Sequence, residues 1–429
     1  MTTEARVAPA DSRRWLILAL LMALCFISHF NRASLATASD EQIMGQFGIS
    51  PKEMGVIYSA FLIAYTIFMI PGGLLIDHRG PRLALMVMAL GTGLFCALTG
   101  GIGLVFVTTG QVWLALFVVR SLMGLMTAPL HPGAARAAGN WFPPGQQFLA
   151  NGLITAASVL AYGVVHPVFG GLMDRFGWPK AFVITGAVTA LLAVVWRVLA
   201  ADAPSSAASV PIPASTDRPK LAALPQFDRL VNDQRLWLLT LGYGAVGYFQ
   251  YLFFYWLHYY FSSVKHMDLE ESRYYASFPN VALAVGMFLG GWLTERLTRW
   301  LPGSSSRTLL PKVGMSLSAV LLVCGVFTQD RFWIVLWFTL SLGTLGLCEA
   351  SFWTMAVEVG RERGGTAAAI MNTGGNGVGL LAPMITPWVG THLGWEWGLG
   401  LGAIIGLLGA ACWFGIRSQT PPPPLPQGS

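Results

Sequence analysis

Residues 54–76 read MGVIYSAFLIAYTIFMIPGGLLI, and the run is followed at once by Asp77-His78-Arg79-Gly80-Pro81-Arg82. As a helix the apolar run rises about 35 Å, enough to cross about 30 Å of hydrocarbon, and the charged hexapeptide gives it a polar end. Eleven further runs have the same character: 15–36, 83–100, 111–134, 148–170, 180–200, 236–260, 275–294, 309–328, 332–356, 366–390 and 397–416. The whole chain is 54% hydrophobic and 11% charged. A soluble domain carries roughly 25% charged residues, so this chain cannot clothe a water-facing surface. Its 49 glycines suit helices that pack backbone to backbone. The expectation is an all-α membrane protein with twelve transmembrane helices.

The quoted stretch has a counterpart. Residues 275–294 end in Gly290-Gly291-Trp292-Leu293-Thr294 and continue Glu295-Arg296-Leu297-Thr298-Arg299. Both loops read Gly-Gly-x-x-x-acid and then basic, after runs two and eight. Such repetition predicts two pseudo-symmetric halves. The longest polar stretch lies between runs six and seven and is rich in proline and serine, as a linker is. The expected division is an N-terminal segment 1–14, a six-helix bundle 15–200, a linker 201–235, a second bundle 236–416 and a disordered tail 417–429. A short helix at 221–231 is expected within the linker. In each repeated loop, Gly73 and Gly80 allow close approach while Asp77, Arg79, Arg82, Glu295 and Arg296 supply charge, so the loops read as a gating latch.

Twelve crossings put both termini on one side. That side carries 18 Lys and Arg and the other carries 6; Arg32 and Arg120, inside runs one and four, complete the 26. The bias places both termini in the cytoplasm of a cell whose inner membrane holds the chain. The basic charge reflects this bias and not nucleic-acid binding. The five cysteines all fall in apolar runs without metal-ligand spacing and read as small buried hydrophobes. With no HExxH, GxSxG or phosphate loop, the sequence predicts neither enzyme activity nor a cofactor or metal.

Arg32 and Arg120 are the informative charges. Arg32 lies about 26 Å into a helix leaving the terminal side, and Arg120 about 11 Å into one entering from the other. A guanidinium at that depth faces protein or a wet cavity, and here it awaits an anion. Around them stand Asn31-Arg32-Ala33-Ser34-Leu35, Tyr58-Ser59-Ala60-Phe61 leading to Ile70-Pro71-Gly72-Gly73, and Arg120-Ser121-Leu122-Met123-Gly124. Trp141-Phe142-Pro143, the aromatic series Tyr248 to Tyr260, and Asn372-Thr373-Gly374-Gly375-Asn376 complete the set. In order and spacing these resemble the major facilitator superfamily, in its anion:cation symporter branch of sugar-acid and carboxylate carriers. The resemblance implies that Arg32 and Arg120 bind the substrate carboxylate and gate the site. It also implies that Tyr58, Trp353, Asn372 and Asn376 line the site. Tyr251 and Tyr255, one turn apart, are the cavity-facing choice from run seven.

Two positions depart from the branch: Asn31 and Thr127 stand where its members carry the acids that move the coupling proton. They remain candidate substrate contacts, but neither can titrate at physiological pH. Glu349 in run ten occupies the position matching Thr127 in the other half, and is a proton-coupling candidate or a structural carboxyl. His131, four residues after Thr127, and His29, one turn before Arg32, offer a second route. His166 reads as a packing residue, and His78 and His258, near helix ends, carry little weight. The expected function is secondary active transport of a small organic anion, a sugar acid or other carboxylate, by a monomer with proton coupling. Facilitated diffusion, exchange and a non-transporting solute sensor are the alternatives.

Overall fold

The computed structural model describes residues 13–105, 108–202, 232–300, 304–360 and 364–416. The expected terminal segment, most of the linker with its short helix, and the tail lie outside the described residues. The first half comprises α1 (Arg13–Ala38), α2 (Met44–Phe47), α3 (Pro51–Val105), α4 (Thr109–Thr127), α5 (Leu130–Trp141), α6 (Pro144–Phe176) and α7 (Trp178–Leu199). The second comprises α8 (Gln234–Tyr259), α9 (Leu269–Trp300), α10 (Ser304–Phe327), α11 (Arg331–Gly346), α12 (Glu349–Gly360), α13 (Gly364–Gly379), α14 (Ala382–Leu393) and α15 (Trp395–Cys412). These helices make twelve crossings in two six-crossing bundles, with no strand among the described residues.

The sequence explains where the helices break. α3 holds crossings two and three and turns at Gly80, whose φ of 77° and ψ of 158° suit a residue without a Cβ. Crossing four divides at Ala128-Pro129 into α4 and α5, because proline lacks the N–H that a continuous helix needs. Crossing ten divides in the matching place, between Gly346 and Glu349. Crossings one and seven each end in a π-helical turn, Ser39–Ile43 and Tyr260–Val264. The internal repeat is therefore visible in the irregularities as well as in the loops.

Ten spans are long and apolar enough to cross a bilayer by composition alone. The other two are α8, crowded with tyrosine and glycine, and the α13–α14 crossing, which carries Asn372 and Asn376 and breaks at Leu380-Leu381. Their lower hydropathy fits helices that face protein instead of lipid. Phe288, Leu191 and Ile67 lie on the outer surface, as bilayer contact requires. The expected small-residue contact is present, since Gly286 and Gly290 of α9 lie against the Gly343 and Leu347 carbonyls. Cys25, Cys96 and Cys348 are buried as expected, but Cys324 is exposed on the apolar surface and Cys412 is only half-buried. An apolar run does not distinguish a lipid-facing position from a core one.

The two halves meet along α1 and α8, α6 and α9, and α3 and α14. The face holding the start of α1 and the end of α15 is termed the near face, and the opposite one the far face.

Candidate functional site

Arg32 is buried where α1 meets α8. Its Nε donates to the Tyr255 hydroxyl at 3.1 Å, and its guanidinium carbon lies 4.9 Å from the Tyr251 ring centre and 5.2 Å from that of Phe61. Arg120, from α4, lies 5.6 Å from the Phe61 ring on the same cluster. It donates to the carbonyl oxygens of Asn31 (3.3 and 3.4 Å) and Arg32 (2.8 Å). Arg120 thereby fixes the backbone that carries Arg32. Arg32 Nη2 and Arg120 Nε are buried without a hydrogen-bond partner. Among the described residues no carboxylate lies within ion-pair distance of either arginine. The two guanidinium groups are thus desolvated beside one another without a carboxylate partner among the described residues.

Several expected neighbours point elsewhere. Asn31 Nδ2 donates to Thr189 on α7 at 2.7 Å, inside the first bundle. Thr127 donates to the Met123 carbonyl and lies 3.1 Å from the Thr92 hydroxyl, at the contact between crossings three and four. Because crossing four breaks just after Thr127, Arg120 and Thr127 do not share one straight helix with His131. Tyr58 stacks on Tyr255 at 4.7 Å and pairs with the Ser39 hydroxyl, so it closes the site on the far side.

His29 and His131 do meet. His29 Nδ1 lies 2.9 Å from the Cys25 carbonyl, which makes Nδ1 the protonated nitrogen. Its Nε2 then accepts from His131 Nε2 at 3.3 Å. The pair holds one N–H between two ring nitrogens, one turn from Arg32.

The second half supplies a polar ladder. The Tyr251 hydroxyl donates to Asn376 Oδ1 at 2.8 Å, and Asn376 Nδ2 donates to the Asn372 carbonyl at 3.0 Å. Two turns along α8, Tyr243 donates to Glu349 Oε1 at 2.5 Å, and Trp353 Nε1 donates to the same oxygen at 3.0 Å. Glu349 Oε2 is buried without a partner. Glu349 is therefore not tied to Arg120.

Sequence reasoning missed the far-face seal. His258 Nδ1 bonds Asp40, and its Nε2 lies 3.3 Å from Glu41. Arg273 of α9 joins Glu41 (2.7 and 2.9 Å) to Asp174 of α6 (2.8 Å). His166 stacks on His258 at 4.9 Å and meets the Thr37 hydroxyl at 3.0 Å. Gly170 makes room for this arrangement, since a Cβ there would come 2.3 Å from Arg273 Nε. Histidines set aside as helix-end or packing residues thus sit inside a buried ionic cluster. The available signal was the concentration of Asp40, Glu41, Asp174, His258 and Arg273 at the far ends of crossings one, five, seven and eight.

The near-face loop behaves differently. Asp202 accepts from the Arg82 backbone N–H at 2.9 Å, and Arg82 donates to the Arg197 carbonyl at 2.6 Å. Trp141 and Asn140 donate to the carbonyls of Ala201 and Asp202. Arg79 is exposed, and Gly73 has open space beside it. Arg296 lies over Trp292 and Trp300 of its own helix. The side chains of Asp77 and Glu295 lie outside the described set. Instead of bridging the halves, the described latch residues bind within one half.

The Major Facilitator Superfamily profile matches residues 21–381. The chain is 26% identical over 381 residues to the probable sulfoacetate transporter of Cupriavidus necator, covering 87% of this chain and 86% of that protein. It is 27% identical over 414 residues to the probable galactarate/D-glucarate transporter of Bacillus subtilis, covering 90% and 88%. The probable L-galactonate transporter of Escherichia coli is 25% identical over 383 residues, with 86% and 82% covered. Among solved structures, a bacterial homologue of the human lysosomal transporter Spinster, in an inward-facing and unoccupied conformation, superposes with a TM-score of 0.76 at 17% identity, covering 94% and 97%. With a profile match across most of its length and this fold, the chain belongs to the Major Facilitator Superfamily and is an integral, multi-pass membrane transporter.

Proposed function

We propose that the protein moves a small organic anion, a sugar acid or related carboxylate, across the inner membrane by alternating access. The observation that carries this reading is the pair of buried arginines, which have unpartnered N–H groups and, among the described residues, no carboxylate within ion-pair distance. The relatives' names, all of them carriers of organic anions, support it. Arg32 binds the anion, Arg120 holds Arg32 in place, and Tyr251, Asn376 and Trp353 contact the rest of the solute. The near face is cytoplasmic by the distribution of basic residues, and the far-face cluster then closes the outer side of the carrier. Bundles 15–200 and 236–416 rock about the site, joined by the 201–235 linker.

Proton coupling runs through the His29–His131 pair. A second proton breaks its hydrogen bond and places a cation one turn from Arg32, where it favours anion binding. Exchange without protons is the competing reading. It is favoured by Asn31 and Thr127, which stand at the branch's acid positions and are bonded to hydroxyls and a carbonyl within their own bundle.

Uptake of labelled organic acids into proteoliposomes tests the anion site. Arg32→Ala should lower uptake at least about thirtyfold, the equivalent of roughly 2 kcal/mol for a desolvated charge partner, while Arg32→Lys restores part of it. Wild-type uptake by Arg32→Ala would refute the proposal. Accumulation above equilibrium under a pH gradient separates symport from exchange.

A further inference from the structure

We propose that the solute is bipolar, with an anionic head at Arg32 and a hydrogen-bond donor, hydroxyl or ammonium, at the opposite end for Glu349 Oε2. Glu349 is then the residue that selects singly charged anions over dianions. The inference rests on the organic-anion reading above and narrows its substrate class.

The argument starts from the hydrogen bonds of Glu349. Oε1 accepts two donors, the Tyr243 hydroxyl and the Trp353 indole. Glu349 is also the first residue of α12, where the N–H groups of a helix start favour negative charge. Oε2 is buried and accepts nothing. A carboxylate oxygen in that position calls for a donor, because burying it unpaired is costly. Trp353, whose indole bonds the carboxylate, is 38% exposed. Across the bundle interface, Arg32 Nη2 is the complementary unpaired group.

One helix carries both partners: Tyr251 packs on Arg32 and Tyr243 bonds Glu349, eight residues apart on α8, an axial rise of about 12 Å. The Tyr251–Asn376 hydrogen bond lies at the arginine end of this path and suits a hydroxylated chain. A dianion of the same length would set its second carboxylate against Glu349, carboxylate to carboxylate in a low-dielectric site.

Matched pairs that differ only at the far end test this: D-gluconate against D-glucarate, and 4-hydroxybutanoate against succinate. Each is measured as inhibition of uptake and as labelled uptake in proteoliposomes at a pH where both acids are fully ionised. The wild type should favour the hydroxyl-ended member of each pair by at least about tenfold, the factor set by some 1.4 kcal/mol of like-charge opposition. Glu349→Gln should shrink the ratio to within about threefold and raise uptake of the dianion in absolute terms, because the amide can donate to a carboxylate. A misfolded variant cannot produce that gain. Equal or reversed preference in the wild type, or an unchanged ratio in Glu349→Gln, would overturn the assignment. If Glu349→Gln does not assemble, the wild-type ratio and that of Glu349→Asp, which should keep the preference, decide the matter. If neither pair interacts with the wild type while the protein is folded, the failure lies in the organic-anion reading itself.

Discussion

Compare the two faces of the molecule. At the far face, groups from opposite halves grip one another: Asp40 and Glu41 with His258, Glu41 and Asp174 with Arg273, Ser59 with the Leu380 carbonyl. At the near face the polar contacts of the described residues stay within one half, Arg82 with Asp202 and Arg197, Trp141 with Ala201. The chemistry is similar in kind, but its connectivity is opposite. In the proposed rocking of the bundles, contacts between halves are made and broken, so they would set which conformation is populated. Contacts within a half travel with it and contribute equally to both states. A ligand or mutation shifts an equilibrium only by its differential interaction with the two states, and on that ground the far-face groups are the conformational determinants.

Arg273→Ala is the strongest way to break this comparison. It leaves Glu41, with a side chain only 1% exposed, without its guanidinium partner. Removing one member of a buried ion pair costs about 3–5 kcal/mol, and where the pair exists in one conformation only, the balance should move toward far-face opening by a hundredfold or more. Spin labels at the exposed positions Phe176 and Glu270, in a background lacking the exposed Cys324, report the distance between halves. A distribution unchanged by Arg273→Ala would mean that the seal does not set the balance. Ser59→Ala is the finer test. It removes one hydrogen bond of 2.7 Å to the Leu380 carbonyl, worth about 1 kcal/mol, and should move the same distribution in the same direction by only about fivefold.

The sequence and the structure agree most where a residue's meaning depends on its own neighbourhood. Arg32 and Arg120 were legible because a guanidinium within an apolar run is costly wherever the chain folds. The twelve crossings were legible for the same reason, and the repeat of loops 77–82 and 295–299 exposed the two halves. The far-face seal was illegible because Asp40, Glu41, Asp174 and Arg273 occupy helix ends, where charge is ordinary. Only the packing of α1, α6, α8 and α9 brings them together. Asn31 and Thr127 were assigned to the solute because they stand at the branch's acid positions. Their side chains bond Thr189 and Thr92 instead: Asn31 is one helix position from Arg32 and faces a different direction, while Thr127 lies two turns along α4 from Arg120, at the contact with crossing three. Glu349 was identifiable as a membrane-depth acid, but its partner Tyr243, on another crossing, was not.

The smallest expected effect is the sharpest for the comparison. Asp202→Ala deletes the acceptor that caps the Arg82 N–H after the Gly80 turn. This position is at the surface, so the loss is one charge-assisted hydrogen bond in contact with solvent, about 1 kcal/mol of stability at most. Since Asp202, the second residue of the linker, bonds Arg82 of the first half, both conformations should lose it equally. The thermal midpoint of the purified carrier should fall slightly while the 176–270 distance distribution stays at its wild-type form. If Asp202→Ala instead shifts that distribution as far as Ser59→Ala does, this loop meets the opposite half in the other conformation. It would then act as a near-face latch, and the difference between the two faces would be one of conformational state instead of construction.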